Sequence, residues 1–175
     1  MDERVFPAPE VNVQVQLNWP SRSEPAPREV APAAASGPAR QAWEASVMLA
    51  RLSPREWEPY TVRLPEELWS RLEARVEEDQ AAYELPSLAM SHYVNAALGR
   101  IPAAAEDAAE VATEYMVSLG LRPPATRSSG TRVHRAVLAR MELLPAQLRR
   151  AARPGLLGYL QAATIAVFLD EIDAA

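Results

Sequence analysis

Residues 58–79, EPYTVRLPEELWSRLEARVEED, change their hydrophobic period abruptly, and this change restricts the fold more than any other feature. Before Pro65, the apolar residues Tyr60, Val62 and Leu64 alternate with polar ones, which is typical of a β-strand. After Pro65 the apolar residues follow the helical period instead, at Leu68, Trp69, Leu72 and Val76. The sequence therefore predicts a short strand that passes almost directly into a helix.

A strand this short needs a partner, because its backbone donors and acceptors must be hydrogen-bonded. The sequence on either side of residues 58–64 supplies no hairpin mate. The simplest solution is antiparallel pairing of two copies of the strand, which gives a two-stranded ribbon with one face on the core and one free face. Such a ribbon fits the major groove of B-form DNA, where its side chains reach the edges of the bases.

The segment YTVRLPEELWSRLEARV, followed by LPSLAMSHYVNAALGR, resembles the ribbon-helix-helix family of DNA-binding proteins, which includes the Arc and MetJ repressors. The resemblance covers about residues 58–101. It implies a fold class that is mainly α with a short β-ribbon: a ribbon-helix-helix core, here with additional C-terminal helices. It also implies an intertwined dimer.

The resemblance also implies roles for individual residues. Thr61 and Arg63 would face the bases, while Tyr60, Val62 and Leu64 would face the core. Arginine reads guanine through two parallel hydrogen bonds, so Arg63 is the leading candidate for a base contact. The N-terminus of the second helix, with Ser87 and the backbone amides of Leu88 and Ala89, would contact phosphate.

A degenerate second copy of the same plan is a hypothesis for residues 131–172. TRVHRAV would be its strand, residues 138–153 its first helix and LLGYLQAATIAVFLDEI its second. The protein would then be a single-chain pseudo-dimer rather than a homodimer. Two features oppose this reading: Arg135 would face the core if Val133 and Val137 do, and Pro145 interrupts the helix. The alternative is a helical bundle that covers the first module.

Changes in composition, together with the prolines and glycines between segments, divide the chain into four predicted regions. Residues 1–42 are predicted to be a disordered Pro/Ala-rich tail, with a possible strand at 11–18 that would suit a protein partner by adding to a sheet edge. Residues 43–101 hold the ribbon-helix-helix module with a preceding helix. Residues 102–130 form an acidic helix and a linker, and residues 131–175 form a basic helical region.

Charge is strongly polarised along the chain, although its total is only −5. Residues 122–153 hold eight arginines against one glutamate, whereas residues 64–121 hold three arginines against eleven acids. The basic segment, with Arg132, His134 and Arg135, is a second candidate for DNA contact, through phosphate rather than base edges. Alternatively, its arginines bind the acidic region of the same chain or of its partner.

Other classes of chemistry find no support in the sequence. The chain has no cysteine and two histidines in separate segments, so we expect no metal site, no cofactor and no catalytic residues. There is no Gly-rich phosphate loop and no nucleophile elbow. No apolar run is long enough for a membrane span, and the first residues do not resemble a signal peptide, so we expect a cytoplasmic protein.

These patterns together favour a sequence-specific protein that binds double-stranded DNA and is not an enzyme. Proteins of the family that the chain resembles act as transcriptional repressors, plasmid partition or maintenance factors and antitoxins. The alternative from another class is a helical interaction scaffold, or an antitoxin, that binds a partner protein through its tail or its last helix.

Overall fold

The computed structural model describes residues 37–120, 124–151 and 155–174, which form six α-helices and one antiparallel sheet of two strands. The predicted fold class is confirmed at this level, as a mainly helical protein with a small β-sheet. The predicted tail strand at 11–18 lies outside the described residues. In chain order the elements are α1 (Pro38–Leu52), β1 (Trp57–Pro65), α2 (Glu66–Ala82), α3 (Met90–Gly99), α4 (Ala105–Ser118), β2 (Thr126–His134), α5 (Arg135–Ala151) and α6 (Leu157–Asp173).

The element order helix, strand, helix, helix occurs twice in the chain. Both strands are nine residues long, and each passes directly into a helix of 17 residues, α2 or α5. The strands start at residues 57 and 126 and these helices start at 66 and 135, so both pairs are 69 residues apart. In addition, α1 packs on α3 and α4 packs on α6. The chain therefore contains one structural plan twice.

The partner of β1 is β2 of the same chain. The two strands pair antiparallel over their whole length, from Trp57 opposite His134 to Pro65 opposite Thr126. This pairing supplies the hydrogen-bonding partner along one edge of β1 within one chain, so a strand from a second chain is not required to form the ribbon. The observed β2 is longer than the predicted TRVHRAV strand and starts five residues earlier, at Thr126.

The helix α5 differs from its sequence prediction at two residues. Arg135 is exposed instead of facing the core, because β2 ends at His134 and the alternation of sides does not continue into the helix. Pro145 lies inside α5 rather than interrupting it. A proline removes one backbone hydrogen bond and crowds the preceding turn. The buried side chains of Leu144 and Leu148 hold this turn against the core despite that cost.

The inner side of the sheet and the helices α3 and α6 form the centre of the core. Val62, Leu64 and Val133 point inward from the two strands and are completely buried. α3 packs against α1, β2 and α6. α6 buries eight of its 17 residues, as its almost continuous apolar sequence predicts.

Several boundaries depart from the sequence predictions. α3 starts at Met90 rather than at residue 86 or 87, since Glu84 adopts a left-handed backbone (φ 52°) and Leu88 turns into the core before the helix begins. The predicted region boundaries at residues 42 and 130 fall inside α1 and β2.

Candidate nucleic-acid interface

The outer face of the two-stranded sheet is exposed on both strands. In β1 the side chains alternate as the sequence predicts: Val62 and Leu64 are buried, while Thr61 and Arg63 are exposed. In β2 only Val133 is fully buried. The exposed residues of this outer face are Pro59, Thr61, Arg63, Thr126, Ser128, Gly130 and Arg132.

The inner side of β1 is fixed to the last helix by a polar contact as well as by apolar packing. Gln161, a buried residue of α6, donates a hydrogen bond from Nε2 to the hydroxyl oxygen of Tyr60 at 2.6 Å. Burial raises the pKa of Tyr60 above its ordinary value, and the hydrogen bond from Gln161 partly opposes that shift. This contact fixes which face of β1 points outward.

The guanidinium group of Arg63 is held in place by one hydrogen bond, and most of its N–H donors have no acceptor among the described residues. Its Nε donates to Oγ1 of Thr126 at 2.7 Å, across the ribbon. Among the described residues, Arg63 has no acidic partner and its two terminal amino groups have no acceptor. In arginines that read DNA, such groups form the fork that contacts O6 and N7 of guanine. Arg63 therefore has the chemistry and the exposure of a base-reading residue.

Arg132 lies on the same face of the neighbouring strand. One of its terminal amino groups donates to the backbone carbonyl of Trp57. Like Arg63, it forms no ion pair with any acidic residue in the described ranges. The sequence predicts Arg132 only as a phosphate contact, because the local pattern does not define the extent and register of β2.

His134, also a predicted phosphate contact, is engaged inside the protein. Its Nε2 lies 3.1 Å from Oε2 of Glu56, and its ring packs edge-on against Trp57 with centroids 6.3 Å apart. The backbone N–H of His134 donates to Oδ1 of Asn95 at 2.8 Å. We therefore do not include His134 in the interface.

The predicted phosphate site at the second helix is shifted by the late start of α3. Ser87 is exposed, but Leu88 is 3% exposed and its amide already donates to the carbonyl of Leu85. The amide of Ala89 donates to Nδ1 of His92 at 3.1 Å. The Leu88 and Ala89 amides are thus unavailable, and of the predicted phosphate-binding groups in this loop only Ser87 remains.

Arg51 is a residue of this region that sequence reasoning missed. It is exposed at the end of α1 and lines a cleft of 140 Å³ together with Ser87 and His92. Burial, and secondarily the positive charge of Arg51, lowers the pKa of His92, which keeps its imidazole a neutral acceptor for Ala89. His92 also packs edge-on against Trp57, so this cleft lies beside one end of the ribbon.

The arginines of the basic segment divide into two groups. Arg127 pairs with Glu66 and Glu73, and Arg140 donates to the carbonyls of Gly99 and Ile101 at the end of α3. Both arginines hold the protein's own elements together, but only Arg127 does so by binding the acidic region, as one of the two sequence interpretations expects. The exposed arginines of this segment that have no acidic partner among the described residues are Arg132, Arg135, Arg149 and Arg150.

No protein family, curated protein or solved structure matches this chain. The described residues include no group of three or more His, Cys, Asp and Glu side chains arranged to hold a metal ion. None of the described helices combines the length and the apolar character required to cross a membrane.

Proposed function

We propose that the protein is a sequence-specific DNA-binding protein with a ribbon-helix-helix core, in which a single chain supplies both strands of the ribbon. The outer face of the sheet would enter the major groove. The observation that carries this proposal is a two-stranded ribbon that buries Val62, Leu64 and Val133 on its inner face and exposes Arg63 and Arg132 on its outer face, where neither arginine has an acidic partner among the described residues.

The dimensions and chemistry of this face suit duplex DNA. A two-stranded β-ribbon fits the major groove, which is about 12 Å wide. Arg63 would contact a guanine, and Thr61 would contact a neighbouring base edge or a thymine methyl group. The side chains between them point into the core, so only alternate residues of each strand would reach the bases.

Phosphate contacts would flank the ribbon and fix its orientation. At the end near Trp57, Arg51 and Ser87 lie together beside the start of α3. Arg135, at the start of α5 directly after β2, is a third exposed candidate. These cations act locally, which allows a chain with a total charge of −5 to approach a phosphate backbone.

As a biological role, we propose a transcriptional repressor or a plasmid partition or maintenance factor, by resemblance to the ribbon-helix-helix family. The alternative is an interaction protein or antitoxin. Exposed apolar side chains on α1, at Met48, Leu49 and Leu52, favour a protein contact there. The last helix is a poor candidate for such a contact, because α6 already buries Phe168 and Leu169 in the core of its own chain.

A mobility-shift assay on genomic DNA fragments at two salt concentrations tests the proposal. We expect a salt-sensitive complex and a loss of specific affinity of about 5- to 150-fold in Arg63→Ala, the equivalent of about 1–3 kcal/mol. Arg149→Ala is the matched control. It removes the same charge from an exposed position 14 residues along α5, about 21 Å from the end of β2. Equal affinity of wild type and Arg63→Ala would remove the ribbon from the interface.

A further inference from the structure

We infer that the DNA site is asymmetric and contains two guanines on opposite strands, about four base-pair steps apart, one read by Arg63 and the other by Arg132. This inference rests on the proposed function. It adds a second base-reading residue and a defined layout of the site.

The register of the ribbon places the two arginines in equivalent positions. Thr61 and Gly130 lie directly opposite each other, and they are also 69 residues apart, which is the spacing of the two copies of the structural plan. They therefore mark the centre about which the copies are related by an approximate twofold rotation. The same 69-residue spacing relates Arg63 to Arg132, two residues beyond this centre on each strand.

The distance between the arginines sets the distance between the bases. Arg132 lies directly opposite Pro59, and Pro59 and Arg63 are four residues apart on β1. The two arginines are therefore separated by four residues along the length of the ribbon. At about 3.4 Å per residue in an antiparallel strand, this separation is roughly 14 Å. One DNA strand advances about 3.4 Å per nucleotide, so the two contacts are about four steps apart. The approximate twofold rotation puts them on opposite DNA strands.

The surroundings of the two arginines differ, so the two halves of the site differ as well. Arg63 lies opposite Ser128, whose hydroxyl both donates and accepts hydrogen bonds, whereas Arg132 lies opposite Pro59, whose side chain does neither. At the centre, Thr61 offers a methyl and a hydroxyl group where Gly130 offers no side chain. Two identical chains would form identical halves, but this single chain does not.

The two arginines are also held differently before DNA binds. Thr126 Oγ1 accepts a hydrogen bond from Nε of Arg63, and among the described residues neither terminal amino group of Arg63 has an acceptor. Arg132 instead donates one N–H of a terminal amino group to the carbonyl of Trp57, so it is anchored at the fork itself rather than at Nε. We therefore expect stronger discrimination at the guanine of Arg63. Thr126 is a positioning residue for that discrimination.

Selection of preferred duplexes from a pool with a randomised core, using the full chain, tests this inference. The wild type is expected to select a non-palindromic site with two guanines on opposite strands, three to five steps apart, bound by one chain per duplex. Arg63→Ala should lose the preference at one guanine and Arg132→Ala at the other. Arg63→Lys keeps the charge but lacks the fork, so it should retain the salt dependence of binding and lose selectivity at the same guanine as Arg63→Ala.

Thr126→Val tests the positioning role, since it removes only the acceptor for Arg63 Nε. It should reduce the preference at the Arg63 guanine and leave the Arg132 guanine unchanged. The substituted residues are exposed, and thermal unfolding of each variant serves as the control for folding.

Failure of the inference differs from failure of the proposed function. A palindromic site with equal halves, or loss of preference at the same base pair in Arg63→Ala and Arg132→Ala, would overturn the asymmetric layout while DNA binding remained. Enrichment of no sequence, together with a complex insensitive to salt, would overturn the proposed function itself.

Discussion

Asp79 is a buried carboxylate whose hydrogen bonds join α2 to α3. It is 1% exposed, accepts a hydrogen bond from the hydroxyl of Tyr93 at 2.5 Å, and pairs with Arg75 through contacts of 2.5 and 3.1 Å. A buried charge is costly unless it is paired and hydrogen-bonded. Three donor contacts satisfy this carboxylate, so we interpret the group as structural.

Tyr93→Phe tests the contribution of this group to stability. Removing the hydroxyl leaves Asp79 with one donor fewer, and should lower the unfolding free energy at pH 7 by about 1–3 kcal/mol. Burial and the hydrogen bond to Asp79 raise the pKa of Tyr93 well above 10.0, its value in the unfolded chain. The stabilisation is therefore fully present below pH 10 and is lost as the pH rises, at about 1.4 kcal/mol per pH unit for this one group.

Urea denaturation at pH 7 and at several values above pH 10 measures this effect. The difference in unfolding free energy between wild type and Tyr93→Phe should shrink above pH 10, and a constant difference would contradict the assignment. Tyr83→Phe, at an exposed tyrosine, is the control, and should change the unfolding free energy at pH 7 by less than about 0.5 kcal/mol.

At the scale of single residues, the sequence predicted which side chains of β1 face outward but not what they contact. The alternation around Val62 was sufficient to place Arg63 on the exposed face. Its partner Thr126 is 63 residues away, and no local pattern links the two. Arg51 was missed for the same reason, because its position beside Ser87 depends on the packing of α1 on α3.

At the scale of elements, the two copies of the structural plan differ in how strongly their hydrophobic patterns predict the strand. In β1 the apolar alternation and Pro65 mark both the strand and the start of α2. In β2 only Val133 among nine residues is fully buried, so the apolar alternation is too weak to define the strand. The strand β2 forms because β1 supplies its hydrogen-bonding partner. Which residues pair is set by contacts between distant segments, so the local sequence of β2 does not predict the strand.

Besides the weak alternation of β2, Pro145 made the second copy of the plan hard to predict. Substitution of Pro145 tests how much the proline destabilises α5. A proline inside a helix costs about 3 kcal/mol relative to alanine. Pro145→Ala restores a backbone donor within α5, so we expect the unfolding free energy to rise by about 1–3 kcal/mol in urea denaturation. Leu143→Ala, at an exposed neighbour, should change it by less than about 0.5 kcal/mol. A decrease in Pro145→Ala would instead show that α5 needs the proline to pack.

At the scale of the whole molecule, opposite charges from distant parts of the chain meet in pairs. Arg127 reaches Glu66 and Glu73 on α2, while Arg71 of α2 reaches Asp170 and Asp173 at the end of α6. These exposed pairs contribute little individually. Arg127 is an arginine of the basic segment that pairs with the acidic region, whereas Arg63 and Arg132 on the outer face of the ribbon have no acidic partner among the described residues.

Protection of guanine N7 from dimethyl sulfate in a bound fragment tests most directly whether the ribbon reads the major groove. This atom lies in the major groove and is an acceptor for arginine. We expect the wild-type chain to protect two guanines, and Arg63→Ala to expose one of them again. A stable complex without N7 protection, or protection that is identical in Arg63→Ala, would contradict the proposed interface.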